Sequence, residues 1–164
     1  MSELCDRLKA RTGMPVIDGV TAAVKLAEAL VGGGYATFPG VVGTAITKVC
    51  SLEVARTGLT EREAAAAGFD AVAATIEGTT IAGYLPDAKP MTTKLVAERG
   101  SGRLLGGQIV GEERSAKRID SIAIALHGRL RIDELVDLDL AYAPPFATTW
   151  DPIHVAARQL VDSI

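Results

Sequence analysis

The residues with the most pronounced chemical character lie late in the chain, in Tyr142-Ala-Pro-Pro-Phe146 followed by Trp150-Asp-Pro152. Adjacent prolines stiffen the backbone, so Tyr142, Phe146 and Trp150 sit on a loop with little entropy left to lose. A surface presents rings to a ligand or partner in this way. Plain packing of the loop against its own domain accounts for the same residues equally well.

Other constellations point to less. Gly100-Ser-Gly102-Arg-Leu-Leu-Gly106 brushes against the dinucleotide fingerprint, but that fingerprint needs a strand before it and a helix after it, and here strand-like sequence lies on both sides. A hairpin turn is the expectation. The two histidines stand alone: His127 precedes a helix-ending glycine, and His154 follows Asp151-Pro152 at a helix start. Neither has a second ligand at metal spacing, so no metal site is expected. Cys5 and Cys50 are about 45 positions apart, with no CxxC and no zinc spacing, and read as ordinary thiols. Asp133, Glu134, Asp137 and Asp139 read as a solvated helix face rather than a paired-carboxylate site.

The elements that must position these residues follow from periodicity. Residues 4–12 have helical character, Pro15-Val-Ile reads as a short strand, and Val20 to Val31 as a helix capped by Asp18 and ended by Gly32-Gly-Gly34, which is the expected seam. Thr44 to Gly58 is rich in Val, Ile and Thr and predicts mainly strand. Thr60-Glu-Arg-Glu63 is a capping box that opens a short Ala-rich helix ending at Gly68. Phe69–Ile76, Met91–Glu98 and Arg103–Val110 predict strands, the last two joined by Gly100-Ser-Gly102. Ser115–Leu126, Ile132–Leu138 and Ile153–Val161 predict helices, with Gly128 stopping the first. The expected class is α+β, a mostly antiparallel sheet with helices packed on one face, plus an N-terminal strand-helix appendage.

Composition bounds the function. A chain of 164 residues with 48% apolar but only 4% aromatic residues can bury a core, and that core must be built from Ala, Val, Leu and Ile. Seventeen Lys and Arg against twenty Asp and Glu give a net charge of −3, no footprint for a phosphate backbone, and hence no expected nucleic-acid partner. No stretch approaches the roughly 18 apolar residues of a membrane span. The start mixes charges without an apolar run, so no secretory signal and a cytoplasmic setting are expected.

Residues from about 35 to 164 resemble the C-terminal dimerisation domain of flavin-dependent pyridine nucleotide-disulfide oxidoreductases, in the branch of NADH oxidases, coenzyme A-disulfide reductases and NADH peroxidases. The resemblance rests on Ala36-Thr-Phe-Pro-Gly-Val-Val-Gly-Thr44, Glu53-Val-Ala-Arg-Thr-Gly-Leu-Thr-Glu61, Gly106-Gly-Gln-Ile-Val-Gly111, Ala116-Lys-Arg-Ile-Asp120 and Leu138-Asp-Leu-Ala-Tyr-Ala-Pro-Pro-Phe146 with Trp150-Asp-Pro152, over about four-fifths of the chain. It implies a homodimer. It also implies that Tyr84, in Gly83-Tyr-Leu-Pro86, and Tyr142 act in trans, reaching a partner subunit's active site beside a nucleophilic cysteine. A phenol there can donate a hydrogen bond to a thiolate or disulfide sulfur. Without the resemblance Tyr84 reads as a turn tyrosine before Pro86. The His-Pro pair that the glutathione reductase branch carries in the late segment is missing.

Complete members of the family carry FAD and NAD(P)H domains with glycine fingerprints and a redox cysteine, and this sequence has none of these. The expectation is a non-catalytic homodimerisation module that binds no cofactor in this chain. The alternatives are an accessory subunit that supplies tyrosines to a flavoprotein reductase partner, and a domain that binds coenzyme A through the aromatic loop. Residues 8–30, notably Met14-Pro-Val-Ile-Asp-Gly-Val-Thr-Ala-Ala-Val-Lys-Leu-Ala-Glu-Ala-Leu30, resemble the C-terminal strand and helix of aspartate/glutamate/hydantoin racemases. Cys5 does not match that family's second catalytic cysteine, so no racemase chemistry is implied. The chain reads as a junction of two enzyme tails, natural or engineered, with domains at 1–34 and 35–164.

Overall fold

In the computed structural model, Val31 and residues 40–164 are described. The expected helix at 4–12, strand at Pro15–Ile17, helix from Val20, its Asp18 cap, Cys5 and the Gly32–Gly34 seam lie outside the described residues, Val31 excepted.

Alternating apolar residues between turn signals produce five antiparallel strands: β1 (Ala45–Val49), β2 (Leu52–Gly58), β3 (Ala71–Thr79), β4 (Pro90–Glu98) and β5 (Leu104–Gly111). They lie in the order β1-β2-β5-β4-β3. The 44–58 stretch, expected to be mainly one strand, is a hairpin in which Val49 pairs with Leu52 across a two-residue turn. Cys50, expected within a strand, occupies that turn with φ 55° and is exposed. The sequence lacked the Asn-Gly or Gly signal that marks such turns, because a cysteine here takes the left-handed conformation. The β4–β5 hairpin is the expected one. Gly100 and Gly102 carry φ of 80° and 67°, and the Gly102 N–H donates to the Glu98 carbonyl at 3.0 Å. The glycine run therefore joins strand to strand, and no dinucleotide cradle forms there.

Within residues 40–164, four helices accompany the sheet: α1 (Glu61–Ala66), α2 (Ile119–His127), α3 (Ile132–Val136) and α4 (Pro152–Val161), with a 3-10 turn at Ala116–Arg118. The capping box at α1 is formed from both ends, Thr60 Oγ1 accepting from Glu63 N and Glu63 Oε2 from Thr60 N. α2 stops at Gly128 as expected, but the left-handed residue is Arg129, with φ 57°. The Arg129 and Leu130 amides donate to Leu126 and Ala125 carbonyls, the double closure of a Schellman end. A Cβ at Gly128 would crowd only Leu130 Cδ1, the movable end of a side chain, so the left-handed turn is carried by Arg129 and not by the glycine.

The main core lies on one sheet face. Leu95, Ile109 and Ala97 from the strands meet Ile119 and Ile122 of α2, Ile132 and Leu135 of α3, and Ile153, Ala156, Ala157 and Leu160 of α4. A smaller cluster of Ala64, Val96 and Leu105 packs α1 on residues of opposite parity. Leu105 reaches it because the β4–β5 register shifts at Val96/Ala97. Across the sheet, Glu53 Oε2 accepts from the Ser115 and Ala116 amides at 3.1 Å each, which caps the entry to the 3-10 turn and α2.

Candidate functional site

Two segments carry the residues singled out above. The first is the β3–β4 connection. Thr80 closes its base with Lys89: Thr80 N donates to the Lys89 carbonyl at 2.9 Å, and Lys89 N donates to the Thr80 hydroxyl oxygen at 3.2 Å. A turn then forms as Leu85 N donates to Ala82 O at 2.9 Å, and Tyr84 at its tip is 78% exposed.

The second is the segment between α3 and α4. Phe146 N and Ala147 N both donate to Ala143 O, a turn folded over Pro144-Pro145. Tyr142 is 52% exposed, Phe146 77% and Trp150 52%, so the rings are presented rather than buried. Asp151 Oδ1 accepts from Ile153 N at 2.9 Å and starts α4, with Pro152 at its first turn.

The structure brings these segments together. Ala82 N donates to Pro144 O at 3.1 Å, joining the Tyr84 turn to the aromatic loop. Tyr142 and Trp150 share a shallow pocket of about 200 Å³ with His154, in which Thr149 Oγ1 donates to Tyr142 Oη at 3.4 Å. Phe146 instead lines a neighbouring open cleft of about 730 Å³ with Arg114 and Lys117. The three expected ligand-binding aromatics are thus divided between two adjoining depressions. Trp150 has two neighbours from α4: the Arg158 guanidinium lies 3.6 Å from its ring centroid, and His154 approaches edge-on with centroids 6.4 Å apart. His154 is buried, and its Nε2 lies 2.9 Å from the Leu138 carbonyl oxygen, so this lone histidine serves the loop's packing.

Sequence reading passed over Arg118 as a site residue. Its guanidinium donates from Nε to Asp151 Oδ2 at 3.0 Å, from Nη1 to Arg114 O at 2.8 Å, and from Nη2 to Thr80 O at 2.5 Å and Phe146 O at 3.1 Å. The one signal was its place in Ala116-Lys-Arg-Ile-Asp120.

The shifted carboxylates lie elsewhere. The Arg56 guanidinium, with Thr60 assisting, holds Glu63 down at about 2, and Arg131 lowers Asp133. Asp133, Glu134, Asp137 and Asp139 are all exposed, as a solvated face requires. Among the described residues, no group of three or more His, Cys, Asp or Glu is arranged to hold a metal ion. No helix among them is long and apolar enough to cross a membrane.

Comparison with known proteins gives a consistent picture. The family model for the pyridine nucleotide-disulphide oxidoreductase dimerisation domain matches residues 44–152. The CoA-dependent NAD(P)H sulfur oxidoreductase of Pyrococcus furiosus is 46% identical over 123 residues, which is 75% of this chain and 28% of that protein. Among solved structures, a NAD-dependent persulfide reductase from A. fulgidus superposes with a TM-score of 0.79 at 39% identity, covering 84% of this chain and 26% of that one. A separate likeness is to the hydantoin racemase of Rhizobium meliloti, 59% identical over 58 residues, 31% of this chain and 24% of that protein. The chain spans about a quarter of the length of the reductases it matches.

Proposed function

The chain belongs to the pyridine nucleotide-disulphide oxidoreductases through their dimerisation domain, in the branch of NADH oxidases and coenzyme A disulfide reductases, and from that premise we propose that it acts as a non-catalytic homodimerisation module. The observation that carries the reading is the aromatic surface. Tyr84, Tyr142, Phe146 and Trp150 stand exposed on two segments that the Ala82–Pro144 hydrogen bond ties together, so little entropy is lost when a partner covers them. Aromatic residues on a pre-ordered backbone are the usual anchors of protein contacts. The domain boundary belongs at 34/35, with the racemase-like tail ahead of it. This reading assigns no step to FAD or NAD(P)H in this chain, and it is supported by the Gly100–Gly106 run joining two strands and not a strand and a helix.

The test is molar mass by light scattering behind size exclusion, with absorbance followed near 450 nm. A colourless dimer, burying over about 1,000 Å² in a symmetric contact, is the expected result. A monomer overturns the reading, and so does a yellow peak.

A second reading is favoured by the exposure of both phenols. Tyr84 and Tyr142 would be supplied in trans to a flavoprotein thiol or coenzyme A-disulfide reductase, where each hydroxyl donates a hydrogen bond to sulfur. Mixing with such a flavoprotein should raise its turnover, and Tyr142→Phe should remove the gain. The pocket shared by Tyr142 and Trp150 is the place to look for coenzyme A itself. A titration that leaves Trp150 fluorescence flat at millimolar coenzyme A argues against that ligand.

A further inference from the structure

Arg118 stands where the 3-10 turn runs into α2. Its side chain is 14% exposed, and that of its partner Asp151 12%. Its planar fork presents N–H donors in fixed, diverging directions, and here those directions are used on separate pieces of chain. One contact reaches Thr80, the base of the Tyr84 turn, a second reaches Phe146 inside the aromatic loop, and a third reaches Asp151 at the start of α4. Asp151 spends its other oxygen on Ile153 N, so the same carboxylate links the guanidinium to the helix. A lysine ammonium could not reach all three acceptors from one position.

We infer that Arg118 is a positioning residue that holds the Tyr84 turn, the Tyr142–Trp150 loop and the start of α4 as a single surface. The inference rests on the reading of that surface as the module's contact face. The Ala82–Pro144 bond between the same segments is made by backbone alone and survives a change of side chain. Loss of the Arg118 fork therefore loosens the surface while the sheet and its core, whose apolar members do not include Arg118, keep their packing.

Two readouts on the full chain test this: amide hydrogen exchange, and acrylamide quenching of Trp150, the single tryptophan. Arg118→Lys keeps the charge and removes the fork. Amides of residues 80–88 and 143–151 should then exchange about tenfold to a hundredfold faster, as expected for lost charge-assisted hydrogen bonds at a locally opening segment. Trp150 quenching should rise, while amides of β4 and β5 stay within about twofold of the parent. Unchanged exchange in the two segments overturns the inference. Equal acceleration across β4 and β5 overturns it too, by making Arg118 an ordinary contributor to global stability. If Arg118→Lys does not fold, Asp151→Asn retains a cap for α4 and removes only the ionic partner, and its local exchange is judged by the same criteria. The parent's molar mass decides the dimerisation reading separately, since a monomer defeats that reading and leaves the exchange comparison able to decide on Arg118.

Discussion

The guanidinium of Arg158 lies over the indole of Trp150, 3.6 Å from the ring centroid, so a residue of α4 fixes an exposed ring on the loop that precedes the helix. Because Trp150 is the only tryptophan, all indole emission comes from this site. Arg158→Gln should cost about 0.5–1 kcal/mol, the usual worth of an exposed cation–π pair. It should also shift the emission maximum and raise quenching by acrylamide. Unchanged emission would mean that the stack does not persist in solution.

Glu53 supports α2 from across the sheet, and its replacement should show how far the site depends on that helix entry. Glu53→Ala leaves the Ala116 amide without its acceptor, while Ser115 N keeps the Glu112 carbonyl at 3.1 Å, and should cost about 1 kcal/mol in urea denaturation, as a lost helix cap does. Glu53→Gln keeps an acceptor and should lose less. Lys48, 3.6 Å from the other carboxylate oxygen and more than half exposed, should change stability little as Lys48→Ala.

How far the sequence revealed the fold depended on the range of the interactions involved. The box at Thr60 and Glu63, the glycine-bearing hairpin at 100–102 and the stop of α2 were legible because each is closed by residues within a few positions. The β1–β2 turn was not, since Cys50 adopts a left-handed conformation that its residue type does not advertise. Within the site, Pro144-Pro145 announced a stiff aromatic loop. Arg118 gave no sign beyond its place in Ala116-Lys-Arg-Ile-Asp120, because its acceptors Thr80, Phe146 and Asp151 lie 38, 28 and 33 residues away in sequence. Likewise nothing in the spacing of Tyr142, Phe146 and Trp150 foretold that Phe146 would face a different depression from the other two.

Glu63 gives a pH dependence with a definite sign. Arg56 and Thr60 lower its folded value from 4.5 to about 2, so its contribution to stability is fully present above 4.5 and is lost as pH falls through about 2. Glu63→Gln should therefore flatten the acid limb of stability between those two values and leave the neutral region's slope unchanged. Thr60→Ala, which removes the cap itself, should cost about 1 kcal/mol at neutral pH. An acid limb identical in parent and Glu63→Gln would show that the Arg56–Glu63 pair, exposed as it is, carries no linkage.

Gly106 and Gly100 separate two reasons for glycine in one hairpin. Gly106 sits opposite Gly58 where β5 passes Leu59, and a Cβ there would overlap the Leu59 amide and carbonyl. Gly100 has φ 80° with nothing near the position a Cβ would take. Gly100→Ala should therefore cost only the left-handed penalty of about 1–2 kcal/mol. Gly106→Ala must push Leu59 off the Leu105 carbonyl that its amide now meets at 2.9 Å, and with it the start of α1. It should cost more than Gly100→Ala, at the upper end of the about 1–3 kcal/mol seen for overpacking, and exchange of the Leu59 amide should accelerate in step. Equal losses for the two variants would mean that backbone conformation alone selects glycine in this hairpin and that the close approach of β2 and β5 relaxes without cost.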